Sequence, residues 1–218
     1  MTTESFVLEA IDTLTQCIEV DVLLRVDNVE ELCNTLEREA AGFNPKLMYD
    51  LDTSDVEKLM VRYGLKFDPG SCAVRIRPAD RMDSLPYKVH TNRELSLMLK
   101  GAKPLAVFFD VCSGDSESDV IFEEQLFEPY VAAGRFIKRV QHGIRIKGLG
   151  PEHRRVFYAQ PGEEWRIDAY ILMKKVAERS GWGEALERME GSLLGYEDWQ
   201  NDVFIKTLYR PKRWGLTA

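Results

Sequence analysis

Between Pro104 and Cys112 the chain reads PLAVFFDVC, with no polar side chain before Asp110. A run this apolar, and this rich in branched and aromatic residues, predicts a strand covered on both faces and central in its sheet. Just before it, Thr91 and Glu94 stand at capping-box spacing, Leu95, Leu97, Met98 and Leu99 form an apolar stripe, and Gly101 supplies a stop. Nearer the start, residues 4–16 fit a short amphipathic helix. From Ile18 the period changes to two, with Ile18, Val20, Val22, Leu24 and Val26 alternating as in a strand with one wet face. Asn28 and Glu31 then predict a capped helix to about Ala41, stopped by Gly42, and Ser54 and Glu57 predict another that closes at Gly64. Cys72–Arg77 alternates again, and the proline-bracketed RPADRMDSLP after it reads as a linker.

The second half predicts a helix from Phe122 to Ala133, ended by Gly134. Two strands, Arg135–Gln141 and Ile144–Leu149, turn at His142-Gly143 as a hairpin, and a third strand covers Arg154–Ala159. Beyond Pro161-Gly162 the pattern is helical. Trp165, Ala169, Leu172, Met173 and Val176 make a buried stripe, and shorter helices at about 184–190 and 197–209 are separated by Gly191 and Gly195. The class is therefore α+β: a mixed β-sheet with flanking helices and a helical C-terminal segment. The sheet is mixed because the strand-helix-strand unit 104–141 carries its two strands in the same direction. Residues 1–80 form a small subdomain. Residues 81–218 form a second one, with central strand 104–112, basic hairpin 135–149 and the C-terminal helices.

Composition narrows the function. At 218 residues, 44% hydrophobic and 30% charged, the chain can bury a substantial core as a soluble protein. It shows no signal segment and no apolar run long enough to span a bilayer, so a cytoplasmic protein without membrane contact is expected. Cys17, Cys33, Cys72 and Cys112 are scattered in apolar contexts, as reduced thiols would be. The net charge of −7 is unevenly spread. Residues 1–70 hold 6 Lys and Arg against 15 Asp and Glu, whereas residues 131–218 hold 16 against 11. An acidic front and a basic back suit different partners for two faces, or a homodimer.

The basic region is the most informative chemistry. From Arg135 to Arg155 there are seven cations (Arg135, Lys138, Arg139, Arg145, Lys147, Arg154, Arg155) and one opposing carboxylate, Glu152. Glycines at 148 and 150 add backbone freedom beside them. That combination suits a phosphate, a carboxylate or an acidic protein surface, although the glycine spacing is not that of a phosphate-binding loop. Nucleic acid is disfavoured by the overall acidity and by the absence of interleaved aromatics. Asp110, at the end of its strand, is a candidate for the same site, as well as a natural partner for backbone amides in the SGDS turn that follows. Asp198 and Asp202 share a helical face but lack a third ligand, so no metal is assigned. His90, Asp110 and Cys112 form a nucleophilic set only if the fold assembles them. No cofactor motif occurs. The sequence thus predicts a cytoplasmic binding or accessory protein engaging an anionic small molecule or an acidic protein partner through Arg135, Arg139, Arg145, Lys147, Arg154, Arg155 and Asp110. The alternative is an enzyme acting on a phosphate- or carboxylate-bearing substrate near Asp110.

Overall fold

The computed structural model describes residues 4–39, 42–111, 122–144 and 152–210. The chain divides into two compact units, Met1–Arg93 and Glu94–Ala218. Each is built on one antiparallel sheet, and helices close the chain, so the class is α+β as the sequence predicts.

In the first unit β1 (Glu4–Ile11), β2 (Ile18–Val26), β3 (Tyr49–Leu51) and β4 (Ala73–Pro78) lie in the order β2-β1-β4-β3. The opening segment is a central strand, which corrects the expected helix. β1 is paired on both edges and buried on both faces, so its apolar residues show no alternation, while Glu9 imitates the polar side of a helix. On one face Phe6, Leu8 and Ala10 join Leu24, Val74 and Ile76. They pack under Leu32 and Cys33 of α1 (Val29–Thr35) and Val56 and Leu59 of α2 (Thr53–Tyr63).

The helix starts follow local chemistry. Asn28 Oδ1 accepts from the Glu31 amide at 2.8 Å, as its spacing predicts. For α2 the cap is Asp52, which accepts from the Asp55 amide at 2.8 Å, two residues earlier than the Ser54–Glu57 pair. Gly64 closes that helix in the left-handed conformation, φ 61°. α1 stops well short of Ala41, because Glu37 turns left-handed at φ 53°. β3 is three residues long and carries no periodic signal. The expected linker is also tied down: Arg77 forks onto Asp83 at 2.7 and 2.8 Å, and Lys88 and Arg93 both hold Asp21.

The second unit contains α3 (Glu94–Leu99), β5 (Leu105–Val111), α4 (Phe122–Ala132), β6 (Ile137–Ile144), β7 (His153–Ala159), α5 (Trp165–Ser180), α6 (Glu184–Leu193) and α7 (Asp198–Phe204). Its strand order is β5-β7-β6, all pairings antiparallel. β5 and β6 do run in the same direction, but β7 lies between them, so among the described residues no parallel pair forms and the sheet is antiparallel rather than mixed. The central strand is β7 rather than PLAVFFDVC. β5 is an edge, and Phe109 near its end is 44% exposed. The apolar run does not set the number of neighbours, and it is covered only in part: Leu105 and Ala106 are buried, whereas Val107 and Phe108 are half-buried. The expected hairpin is corrected too. His142-Gly143 is a bulge inside β6, with Gly143 at φ 77°, and β6 pairs with 153–159. The segment 145–149 lies outside the described residues.

α5 shows the phase error of a pattern rich in apolar residues. Its buried positions are Ile167, Tyr170 and Met173, packed with Leu105, Phe157, Ala159 and Leu193. Trp165, Leu172 and Val176 are exposed instead. Tyr170 can face inward because its hydroxyl donates to Glu190 at 2.6 Å. Gly191 sits within α6 and does not end it. A Cβ there would meet the Asn201 Oδ1 at 1.9 Å, so glycine permits the approach of α7. Among the described residues, no helix is long and apolar enough to cross a membrane. Cys17, Cys33 and Cys72 are in no disulfide, and Cys112 lies outside the described residues.

Lys103, just before β5, is only 3% exposed and donates to the Leu194 carbonyl at 3.3 Å. Burial pushes its pKa down from 10.5 to about 8, with Glu94 opposing that shift. Below about pH 8 both folded and unfolded chains carry the proton and the burial penalty stands. Between about 8 and 10.5 the unfolded state binds more protons, so stability rises with pH. Lys103→Met should remove this rise and stabilise the protein at pH 7 by up to about 3 kcal/mol, measured by urea unfolding across that range.

The strand order yields a second expected outcome. Amides of β7 should exchange more slowly than those of β5, as hydrogen exchange will show. Phe157→Ala, at a fully buried position, should cost about 3–5 kcal/mol, and Phe109→Ala about 1 kcal/mol or less. Equal losses would refute the edge position of β5.

Candidate functional site

Strand register sorts the sequence-predicted residues onto two faces. Asp110 opposes Arg154, Phe109 opposes Arg155, and Gln141 opposes Arg155 from the other side. Alternation therefore places Asp110, Lys138, Arg154 and Tyr158 on one face, and Phe109, Arg139, Gln141, His153 and Arg155 on the other.

The first face lies under α4 and is an internal ionic network. Arg154 is 6% exposed; its Nη2 stands 2.7 Å from Glu124 Oε2 and 3.6 Å from Asp110 Oδ2. Lys138 Nζ reaches Glu124 Oε1 at 3.0 Å and Glu128 Oε2 at 3.2 Å. Burial opposes the Lys138 charge, but the bonds to both glutamates outweigh it and hold the ammonium above its ordinary range. Phe127 stacks on Tyr158 with centroids 4.2 Å apart and meets Phe108 edge-on, sealing the network beneath the helix. The Tyr158 hydroxyl is buried without a hydrogen-bond partner. Burial, reinforced by Glu124 and Glu128, raises its pKa. Arg154 Nε is likewise buried without a hydrogen-bond partner, so the face is closed by its charge pairs rather than by complete hydrogen bonding.

The second face differs at its far end. Arg155 is half-buried, with its guanidinium carbon 5.3 Å from the centre of the Phe109 ring, and among the described residues no carboxylate pairs with it. Phe109 also stacks on His153, 4.8 Å between centroids and 7° from parallel. His153 is 2% exposed, and its Nδ1 has no hydrogen-bond partner; Gln141 Oε1 is likewise buried and unpartnered. The result is a cation on an exposed aromatic plate, bordered by two unsatisfied polar atoms. A guanidinium so placed can take a carboxylate or phosphate, while the plate accepts a planar or apolar neighbour.

The remaining predicted residues are dispersed. Arg139 pairs with Asp168 of α5, both exposed, and Arg135 Nη2 donates to the Leu99 carbonyl at 2.7 Å, capping the end of α3. Arg145 and Lys147 lie outside the described residues, as does Cys112 of the nucleophilic set. Asp202 is held by Arg188 at 2.6 Å. Among the described residues, no three His, Cys, Asp or Glu side chains gather as metal ligands. Phe109, Gln141 and His153 escaped the sequence reading: apolar and neutral residues inside strands carry no charge signal, and only cross-strand register brings them to Arg155. No family model, curated protein or solved structure matches this chain.

The two faces respond differently to truncation. Arg154→Ala strands Glu124 beside a single cation in a buried site and should cost about 3–5 kcal/mol. Arg139→Ala breaks an exposed pair and should cost at most about 1 kcal/mol. Chemical denaturation of both variants checks the contrast.

Proposed function

We propose that this chain acts by binding, as a cytoplasmic accessory protein that engages an anionic ligand or an acidic protein partner through the sheet of its second unit. The observation carrying this reading is Arg155: a sheet cation with no carboxylate partner among the described residues, resting on a ring that is 44% exposed. A half-desolvated guanidinium has already lost part of its hydration and part of its freedom, so an incoming anion meets a preorganised partner. Arg139 and Arg135 flank the sheet but are engaged with Asp168 and Leu99, which narrows the contact to the end where Arg155 and Phe109 lie. An acidic partner of suitable chemistry is a second copy of this chain, through its acidic first seventy residues.

The alternative, catalysis near Asp110, has weaker support. Asp110 shares the Arg154 guanidinium with Glu124 beneath α4, on the face opposite Arg155. That geometry favours a structural carboxylate over a reacting one.

Binding should be strongest at low salt and should weaken as ionic strength rises from about 0.02 to 0.2 M, because screening acts on exposed charge. Titration calorimetry with a phosphorylated-metabolite panel, heparin and the chain itself measures this. Arg155→Ala should weaken the interaction at least tenfold with an unchanged melting temperature. No binding by the wild type at low salt, or binding indifferent to Arg155→Ala, would overturn the proposal.

A further inference from the structure

The first unit has a polar sheet face of its own. Glu9 opposes Asp21 on β2 and Arg75 on β4, and Arg75 opposes Asp50 on β3, so four charged residues form a row across the sheet. Glu9 is 1% exposed and accepts from Arg75 Nε and Arg77 Nε, each at 2.7 Å. Asp83 binds the rest of the Arg77 guanidinium, and Lys88 and Arg93 hold Asp21. Asp83 is pushed up by burial, but its bonds to Arg77 and the Asp80 amide outweigh that and keep the carboxyl below its ordinary range. The floor thus joins four cations, Arg75, Arg77, Lys88 and Arg93, to three carboxylates, Glu9, Asp21 and Asp83, each of them already in an ion pair.

Over this floor lies a cleft of about 600 Å³, lined by residues 46–48 and by the segment from Pro78 to Arg93. That volume suits a small organic molecule. Its outer lining is amphipathic. Leu47, Met48 and Met82 are 54%, 51% and 43% exposed, and Leu85 and Tyr87 continue the apolar surface. Beside them the exposed Lys46 ammonium meets no carboxylate among the described residues. Asp80, also in the lining, turns its carboxylate to the Met82 and Asp83 amides.

We infer that this cleft is a second binding site, independent of the Arg155 surface, for an organic anion with one negative charge and an apolar body. The floor selects against further charge, because a second anionic group would have to draw a cation away from Glu9, Asp21 or Asp83, whose carboxylates are shielded from solvent. Lys46 selects the sign. Methionines and leucine at the rim give an adaptable surface for rings or chains of differing shape.

The probe is 1-anilinonaphthalene-8-sulfonate, which carries one sulfonate on an aromatic body. It is titrated into the folded full chain by fluorescence, with equilibrium dialysis for stoichiometry. One equivalent should bind saturably, and the uncharged parent amine should bind at least tenfold more weakly. Lys46→Glu and Met82→Asp should each weaken binding at least tenfold with unchanged urea unfolding, Lys46→Arg should retain it, and Arg155→Ala should leave it intact. Absence of saturable binding would overturn the inference, as would indifference to Lys46→Glu, equal affinity for the neutral amine, or loss on Arg155→Ala.

Discussion

A carboxylate buried to 1% exposure in a central strand is tolerable only when opposite charge meets it from within the fold, and Glu9 imposes that condition on the whole first unit. Its two guanidinium partners must come from β4 as the next strand, with Arg75 directly opposite and Arg77 two residues on. Arg77 then has donors left over, which draw Asp83 and with it the segment after β4 onto the sheet. One buried charge thereby helps define the strand neighbour, the register and the position of the segment that lines the cleft.

The second unit meets a related demand differently. β7 is the central strand, and it carries Arg154 and Arg155 in succession. Adjacent residues of a strand point to opposite faces, so these two cations have different environments: one sealed with Glu124 beneath α4, the other on the Phe109 ring. Neutralisation on one side and availability on the other follow from a single peptide step. The proposed binding surface and the structural ion pair are neighbours in the chain because the pleat separates them in space.

The two proposed binding surfaces differ in kind. At Arg155 the charge is held by an aromatic plate, and selectivity for anions rests on one cation. In the cleft the charge that selects is a flexible lysine, and most of the contact is apolar. The first suits an exposed acidic group on a partner of any size, and the second suits a small molecule that can be largely enclosed.

Patterns that act over a few residues were legible in the chain alone. The Asn28 cap, the Gly64 stop, the strand β2, the helical C-terminal segment and the α+β class depend on local backbone chemistry and survive in the structure. The cations between Arg135 and Arg155 could also be counted there, but those that the structure describes are parted between the two sheet faces and several local partners. What the tertiary structure alone decided was which surfaces meet. β1 became a strand because Arg75 and Arg77 satisfy Glu9, sixty-six and sixty-eight residues away. The apolar run at 105–109 became an edge because β7 took the centre, and α5 turned Tyr170 inward because Glu190 of α6 receives its hydroxyl. Each of these choices balances a desolvated polar group against a partner distant in sequence, and that balance is invisible until the chain has folded.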